Sequence, residues 1–249
     1  MKSVLVATAF LTRVPVPLVA GAVDVGRAVR WFPLIGGLLG GATALTAWMM
    51  TEVMDIPAAL TATLVVGLGA WATGAIHLDG LADTVDGFGG GRDPEGVLRI
   101  MRDPLIGCYG AAALVFVIGV KVTAIATLLD RGAALRFMVA APAISRWTIS
   151  ALAAWLPYAR PEGGLGKAVT QERDTIGLVV ATAVTALIAI GALRVDALIV
   201  WAFAALITVW IARTARRRIG GVTGDVFGAS VELTETSVLL CGVLLTGRP

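Results

Sequence analysis

GAIHLDGLADTVDGFGGGRDPEGVLRIMRDPLIGCYG, residues 74–110, gathers acids, arginines and glycines between two long apolar stretches. Within it Asp79, Asp83 and Asp86 fall at i, i+4 and i+7. At about 100° per residue, a helix would bring the three carboxylates within roughly 60° of one another. Three like charges on one strip repel unless a cation lies between them. Oxygen ligands alone suit Mg²⁺, with Mn²⁺ an alternative, and Mg²⁺ keeps positions open for substrate phosphates. His77, the single histidine, would point roughly 160° from Asp79 on the same helix, which makes it a poor ligand or base. The following residues predict a short surface helix, with Asp93 as cap, Pro94 in the first turn and Glu95 at its positive end.

The surrounding composition sets the class. The chain of 249 residues is 57% hydrophobic and 15% charged, with a mean hydropathy of +0.87. These values exclude an ordinary soluble domain and predict an all-α, polytopic membrane bundle forming one catalytic domain over 1–249. Seven spans are expected, near 31–54, 56–77, 107–129, 133–156, 176–193, 196–212 and 226–246. Residues 3–11 are too short to cross, and Pro15 and Pro17 follow, so that segment is expected to be interfacial or re-entrant. No small-residue cleavage site follows it, and no removable signal peptide is expected. Cys108 and Cys241 lie far apart in apolar segments and suggest neither a disulfide framework nor a thiolate metal site. The stretches 1–30, 78–106, 157–175 and 213–225 hold fourteen of the twenty Lys and Arg residues, against Arg131, Arg194 and Arg248 in the opposite connections. By the positive-inside rule the basic side, which also carries the acids, is cytoplasmic.

A second polar group lies in GGVTGDVFGASVELTE, residues 220–235. Asp225, Glu232 and Glu235 fall within roughly 80° of one another on a helix, with Gly228 on the same strip. Acids entering a membrane span are functional or paired, and Arg146 and Lys121 are the candidate partners. Arg146, near the middle of 133–156, would cost about 2.5–3.5 kcal/mol to insert alone and needs an acid or a phosphate. Arg136, nearer an end, can snorkel. The residues together describe a membrane enzyme that handles a phosphorylated substrate with a divalent cation.

HLDGLADTVDG (77–87), RIMRDPLIGCYG (99–110) and GGVTGDVFGASVELTE resemble the signature segments of the cobalamin synthase family, the adenosylcobinamide-GDP ribazoletransferases. FLTRVPVP (10–17), WFPLIGGLLGG (31–41) and LPYARPEGGLG (156–166) resemble further stretches of it, in order along the chain. Cys108 stands where a small or Thr-like residue is expected. The resemblance implies Mg²⁺-dependent transfer of cobinamide phosphate from adenosylcobinamide-GDP to α-ribazole or its 5′-phosphate, with release of GMP. It implies a bacterial or archaeal cytoplasmic membrane, no nucleic-acid partner, and is compatible with a homo-oligomer. Asp79, Asp83 and Asp86 would hold the metal. Asp103 or Asp225 would complete its shell or take the proton. Arg102, Arg146, Arg160, Lys167, Thr223 and Glu232 are candidates to contact substrate. Two other readings remain open: a CDP-alcohol phosphotransferase, whose D-x-x-D-G-x-x-A-R pattern is absent here, and a transporter, for which no internal repeat is found.

Overall fold

The computed structural model describes residues 2–17, 25–160, 162–170 and 174–247, without the side chain at 165. Arg173 and Arg248 of the charge pattern lie outside these residues. The elements are α1 (Lys2–Leu11), α2 (Val25–Ala28), α3 (Phe32–Trp48), α4 (Ala58–Ala72), α5 (Ile76–Gly90) and α6 (Pro94–Ile100). They continue with α7 (Cys108–Asp130), α8 (Ala134–Trp155), α9 (Leu165–Thr170), α10 (Thr175–Leu193), α11 (Asp196–Ile219) and α12 (Gly224–Thr246). Among the described residues there is no strand, only the isolated bridge Tyr158–Val222. The all-α membrane bundle is as expected.

Six helical stretches are long and apolar enough to cross a membrane: Val25–Val53, α7, α8, α10, α11 and α12. Their outer surfaces expose Leu38, Phe116, Leu187, Leu206 and Leu244, a surface suited to lipid rather than water. The expected span 56–77 is corrected. Its helix ends at Ala72, and α4 and α5 are long and apolar enough to cross only as a pair, bent by 88°. Gly74 and Ala75 make the bend with φ of 65° and 58°. The left-handed alanine is unfavourable by about 1–2 kcal/mol, and hydrogen bonds from Gly74 N to Trp71 O and Ala75 N to Ala70 O hold the turn. The last expected spans also shift. Helix α11 runs on to Ile219, carrying Arg213, Arg216, Arg217 and Arg218, until Gly220 (φ 72°) ends it.

Helix α8 is the centre of the bundle, with α3, α10, α11 and α12 packed around it. Gly36 and Gly40 let α3 lie directly on its backbone. A Cβ at either would stand 2.2 Å from the Pro142 carbonyl oxygen or 2.3 Å from that of Met138. This is small-residue helix contact at i, i+4 spacing. Pro142 inside α8 also lacks the N–H that would otherwise bond the Met138 carbonyl.

One end of the bundle collects the polar connections. Arg30 donates to Asp174 at 2.5 Å, Arg218 to the carbonyls of Phe88 and Gly91, and Val222 N to Pro157 O. The basic segments grouped by charge thus meet at one end. At the other, Arg131 donates to Val243 O. Helix α5 lies across the polar end. Its first half packs on the start of α12 and its second half on the start of α7. The bend after α4 thus turns α5, with its aspartates, toward the starts of α7 and α12. Helix α6 forms as expected, with the Asp93 carboxylate accepting from Gly96 N at 2.7 Å.

Candidate active site

The site begins with a close helix contact. A Cβ at Gly80 would stand 2.8 Å from Asp225 O, and one at Gly228 3.0 Å from His77 O. The two glycines let α5 and the first turn of α12 touch through their backbones. Asp79 lies beside this contact, and Asp83 lies one turn further along the same helix. Thr223 caps α12 by accepting from Val226 N at 3.3 Å, and it is fully buried. Its place is that of a cap, and its hydroxyl also hydrogen-bonds Asp225. Arg160 donates to the Asp225 carboxylate at 2.6 Å and to Met101 O at 3.4 Å. The 157–164 connection, α6 and α12 are thereby tied together beside the acids.

Asp79, Asp83 and Asp225 form one electronegative group. Burial, then the charges of Asp79 and Asp225, outweigh Arg160 and push the Asp83 carboxyl up to about 7, with Asp86 adding a smaller push. Asp86 itself is engaged elsewhere. Its two oxygens accept from Gly107 N at 2.8 Å and Gly110 N at 2.9 Å, capping the positive start of α7 from outside. Helical spacing puts Asp86 on the expected face, and its carboxylate also receives two backbone N–H groups at the start of α7. Among the described residues no three His, Cys, Asp or Glu side chains converge as a ready metal cage. Mg²⁺ does not require one. It is commonly held by one or two carboxylates, with water and substrate phosphate completing the octahedron, and the crowded Asp79 and Asp83 fit that donor set.

Two cavities meet at Asp79. One, of about 880 Å³, runs between α1, α5, α8 and α12 and includes Phe10, Ile149, Tyr158, Arg160, Asp225 and Phe227 in its wall. The other, of about 910 Å³, opens on the other side and includes Asp79, Asp83, Arg102, Asp103, Leu105 and Ile106. Arg102 pairs there with Glu162, both half exposed. Asp103 accepts from Leu105 N. Lys167 is exposed on α9 and lines neither cavity. Phe10 and Tyr158 lie inside two of the quoted segments, but no spacing marked them out in the sequence.

Arg146 and Glu232 do not join the aspartates. Arg146 pairs with Glu235, and Lys121 bridges Glu232 at 2.7 Å and Glu235 at 2.9 Å. This quartet is buried in the bundle and lines a third cavity of about 780 Å³ on the other side of Leu78. Arg146 and Glu232, expected in one cavity with Asp225, line this separate one, and each sits beside a charge of opposite sign on a neighbouring helix. His77 is buried at the start of α5, in the wall of the 880 Å³ cavity.

The profile of the family described as cobalamin-5-phosphate synthase matches residues 3–244. Proteins named adenosylcobinamide-GDP ribazoletransferase are similar over nearly the full length. The one from Sinorhizobium medicae is 38% identical over 93% of this chain and 92% of its own. The one from Pseudomonas aeruginosa PAO1 is 38% identical over 96% and 97%, and that from Ectopseudomonas mendocina 36% identical over 94% and 96%. No solved structure matches.

Proposed function

The chain belongs to the cobalamin-5-phosphate synthase family, and from this premise we propose the reaction its relatives' name describes, carried out at the polar end of the bundle. Adenosylcobinamide-GDP is the donor and α-ribazole, or its 5′-phosphate, the acceptor. The 3′-hydroxyl of the acceptor ribose attacks the phosphorus that carries cobinamide. One P–O bond forms to the ribose, the P–O bond to GMP breaks, and the hydroxyl proton leaves. The observation that carries this reading is the meeting of two distant signature segments: Asp79 and Asp83 on α5 stand against Asp225 and Arg160.

Such transfers depend on positioning and charge neutralisation more than on covalent participation by the protein. Asp79 and Asp83 would hold Mg²⁺, or Mn²⁺. When bound, the cation supplies charge neutralisation on the diphosphate and the departing phosphate. Asp225 lines the same cavity as Asp79, so it is placed to receive the hydroxyl proton, and Arg160 fixes its orientation. Arg102 can release Glu162 to take a phosphate oxygen, the geometry for which a guanidinium is suited. Asp86 positions α5 against α7 rather than touching substrate. The polar end faces the cytosol of the producing cell, where a nucleotide-activated donor and a nucleoside acceptor are available.

The direct test uses purified protein in detergent with adenosylcobinamide-GDP, α-ribazole and Mg²⁺, separating products by chromatography. Equimolar GMP and a corrinoid carrying the nucleoside are expected. Absence of both from well-folded protein at saturating Mg²⁺ and Mn²⁺ would overturn the assignment.

A further inference from the structure

We infer that the 880 Å³ cavity seats the acceptor nucleoside, its aromatic base against Phe10 of α1 and its ribose toward Asp79 and Asp225, while the donor occupies the open cavity across Asp79. This rests on the proposed reaction.

Two substrates must present their reacting atoms at one phosphorus, and Asp79 stands in the wall of both cavities. The walls differ in chemistry. The first cavity is apolar along Phe10, Leu11, Ile149 and Phe227; Asp79, Tyr158, Arg160 and Asp225 form one polar group in its wall, and His77 lines it as well. This arrangement matches a molecule with a flat apolar base at one end and a sugar at the other. The open cavity presents Asp79, Asp83, Asp103 and Arg102 instead, a set for a cation-bridged diphosphate. It is flanked by Leu105 and Ile106, exposed by 79% and 57%. The cation-binding carboxylates and Arg102 stand together only in this second cavity, so the diphosphate of the donor is assigned to it. A nucleoside falls within the size range that such a cavity holds.

The assignment also gives α1 a purpose. With ten residues it cannot cross a membrane, yet Ala7 and Leu11 are buried in the bundle and Phe10 stacks on Phe32 at 5.4 Å between centroids. It is held as one wall of this cavity, where the aromatic side chain of Phe10 sets how wide a base the cavity accepts.

The test compares full-length Phe10→Ala and Phe10→Leu with wild type. It reads KM for each substrate, and separately the binding of α-ribazole alone by calorimetry. Loss of one aromatic contact should raise KM and Kd for α-ribazole about tenfold or more in Phe10→Ala, with partial recovery in Phe10→Leu and an unchanged donor KM. The Arg102→Ala variant should show the reverse, a raised donor KM and unchanged α-ribazole binding. Should Phe10→Ala shift the donor KM instead, or leave α-ribazole binding as in wild type, the cavity assignment fails while the reaction stands. A wild-type protein that neither binds α-ribazole nor turns over would remove the assigned reaction, and this inference with it.

Discussion

Asp83 and Asp86 are less than one helical turn apart, yet their surroundings assign them different tasks. Asp83 shares a cavity wall with Asp79 and feels the charge of Asp225, whereas both Asp86 oxygens accept from backbone N–H groups of α7. Replacing Asp83 with Asn should therefore reduce kcat by about 100-fold or more, since several kcal/mol of charge stabilisation depend on it, and leave the unfolding temperature close to wild type. Replacing Asp86 with Ala should do the opposite. It leaves two N–H groups unpartnered and should destabilise by roughly 1–3 kcal/mol, with activity retained in the cold; thermal unfolding and steady-state kinetics on both variants separate the two roles. The Asp83 carboxyl at about 7 also has a consequence for pH. A cation binds the ionised form and must displace the proton. Apparent Mg²⁺ affinity should therefore fall about tenfold per pH unit below 7 and level off above it. Titration of Mg²⁺ between about pH 6 and 8 checks this, and a flat profile would detach Asp83 from the metal. Lys121 is a third case. Among the described residues it is the only cation bonded to Glu232, and it shares Glu235 with Arg146. The change Lys121→Met leaves a buried carboxylate unpaired and should lower stability by roughly 3–5 kcal/mol, seen as a loss of folded protein in detergent.

At the scale of elements, the site depends on how α5 meets α12. Its acids come from helices separated by more than a hundred residues, and only the Gly80–Gly228 contact brings them to one cavity edge. A methyl group at Gly80 would meet backbone at 2.8 Å, which cannot give way as a side chain can. The variant Gly80→Ala should therefore push the helices apart, at a cost of about 1–3 kcal/mol, and reduce kcat by tenfold or more through displacement of Asp79 from Asp225. Wild-type kinetics in Gly80→Ala would mean that the two strips act independently. The break before α5 belongs to the same scale. Without the turn at Gly74 and Ala75, a straight continuation of α4 would carry the aspartates away from the ends of α7 and α12.

At the scale of the whole molecule, the long polar connections among the described residues meet at one end of a multi-pass bundle. Its internal bonds, Arg30 to Asp174 and Arg218 to α5, make that end a continuous cap. With the basic residues gathered there, the cap is expected in the cytosol. Single cysteines at positions 92 and 217, in a chain with Cys108 and Cys241 replaced by Ser, should resist an impermeant maleimide in intact cells and react after permeabilisation. Labelling of both from outside would invert the orientation.

Much of this was legible in the residues themselves. Apolar composition specified a membrane bundle, because a span must bury its backbone polar groups within itself, and charge asymmetry grouped the connections that the fold brings together. The i, i+4 relation between Asp79 and Asp83 follows from the pitch of a single helix, and the ordered segments identified the family. The tertiary structure decided which helix faces met. The same pitch that aligned Asp83 also aligned Asp86, and only the position of the start of α7 gave the latter its two N–H partners. Arg146 and Glu232 each required a counter-charge, but whether a phosphate or Lys121 and Glu235 supplied it depended on the depth and rotation of α7, α8 and α12. The cavity walled by Phe10, Tyr158 and Phe227, from three distant segments, has no local signature. Neighbours along one helix follow from a fixed period, while neighbours across helices follow from how the whole bundle packs.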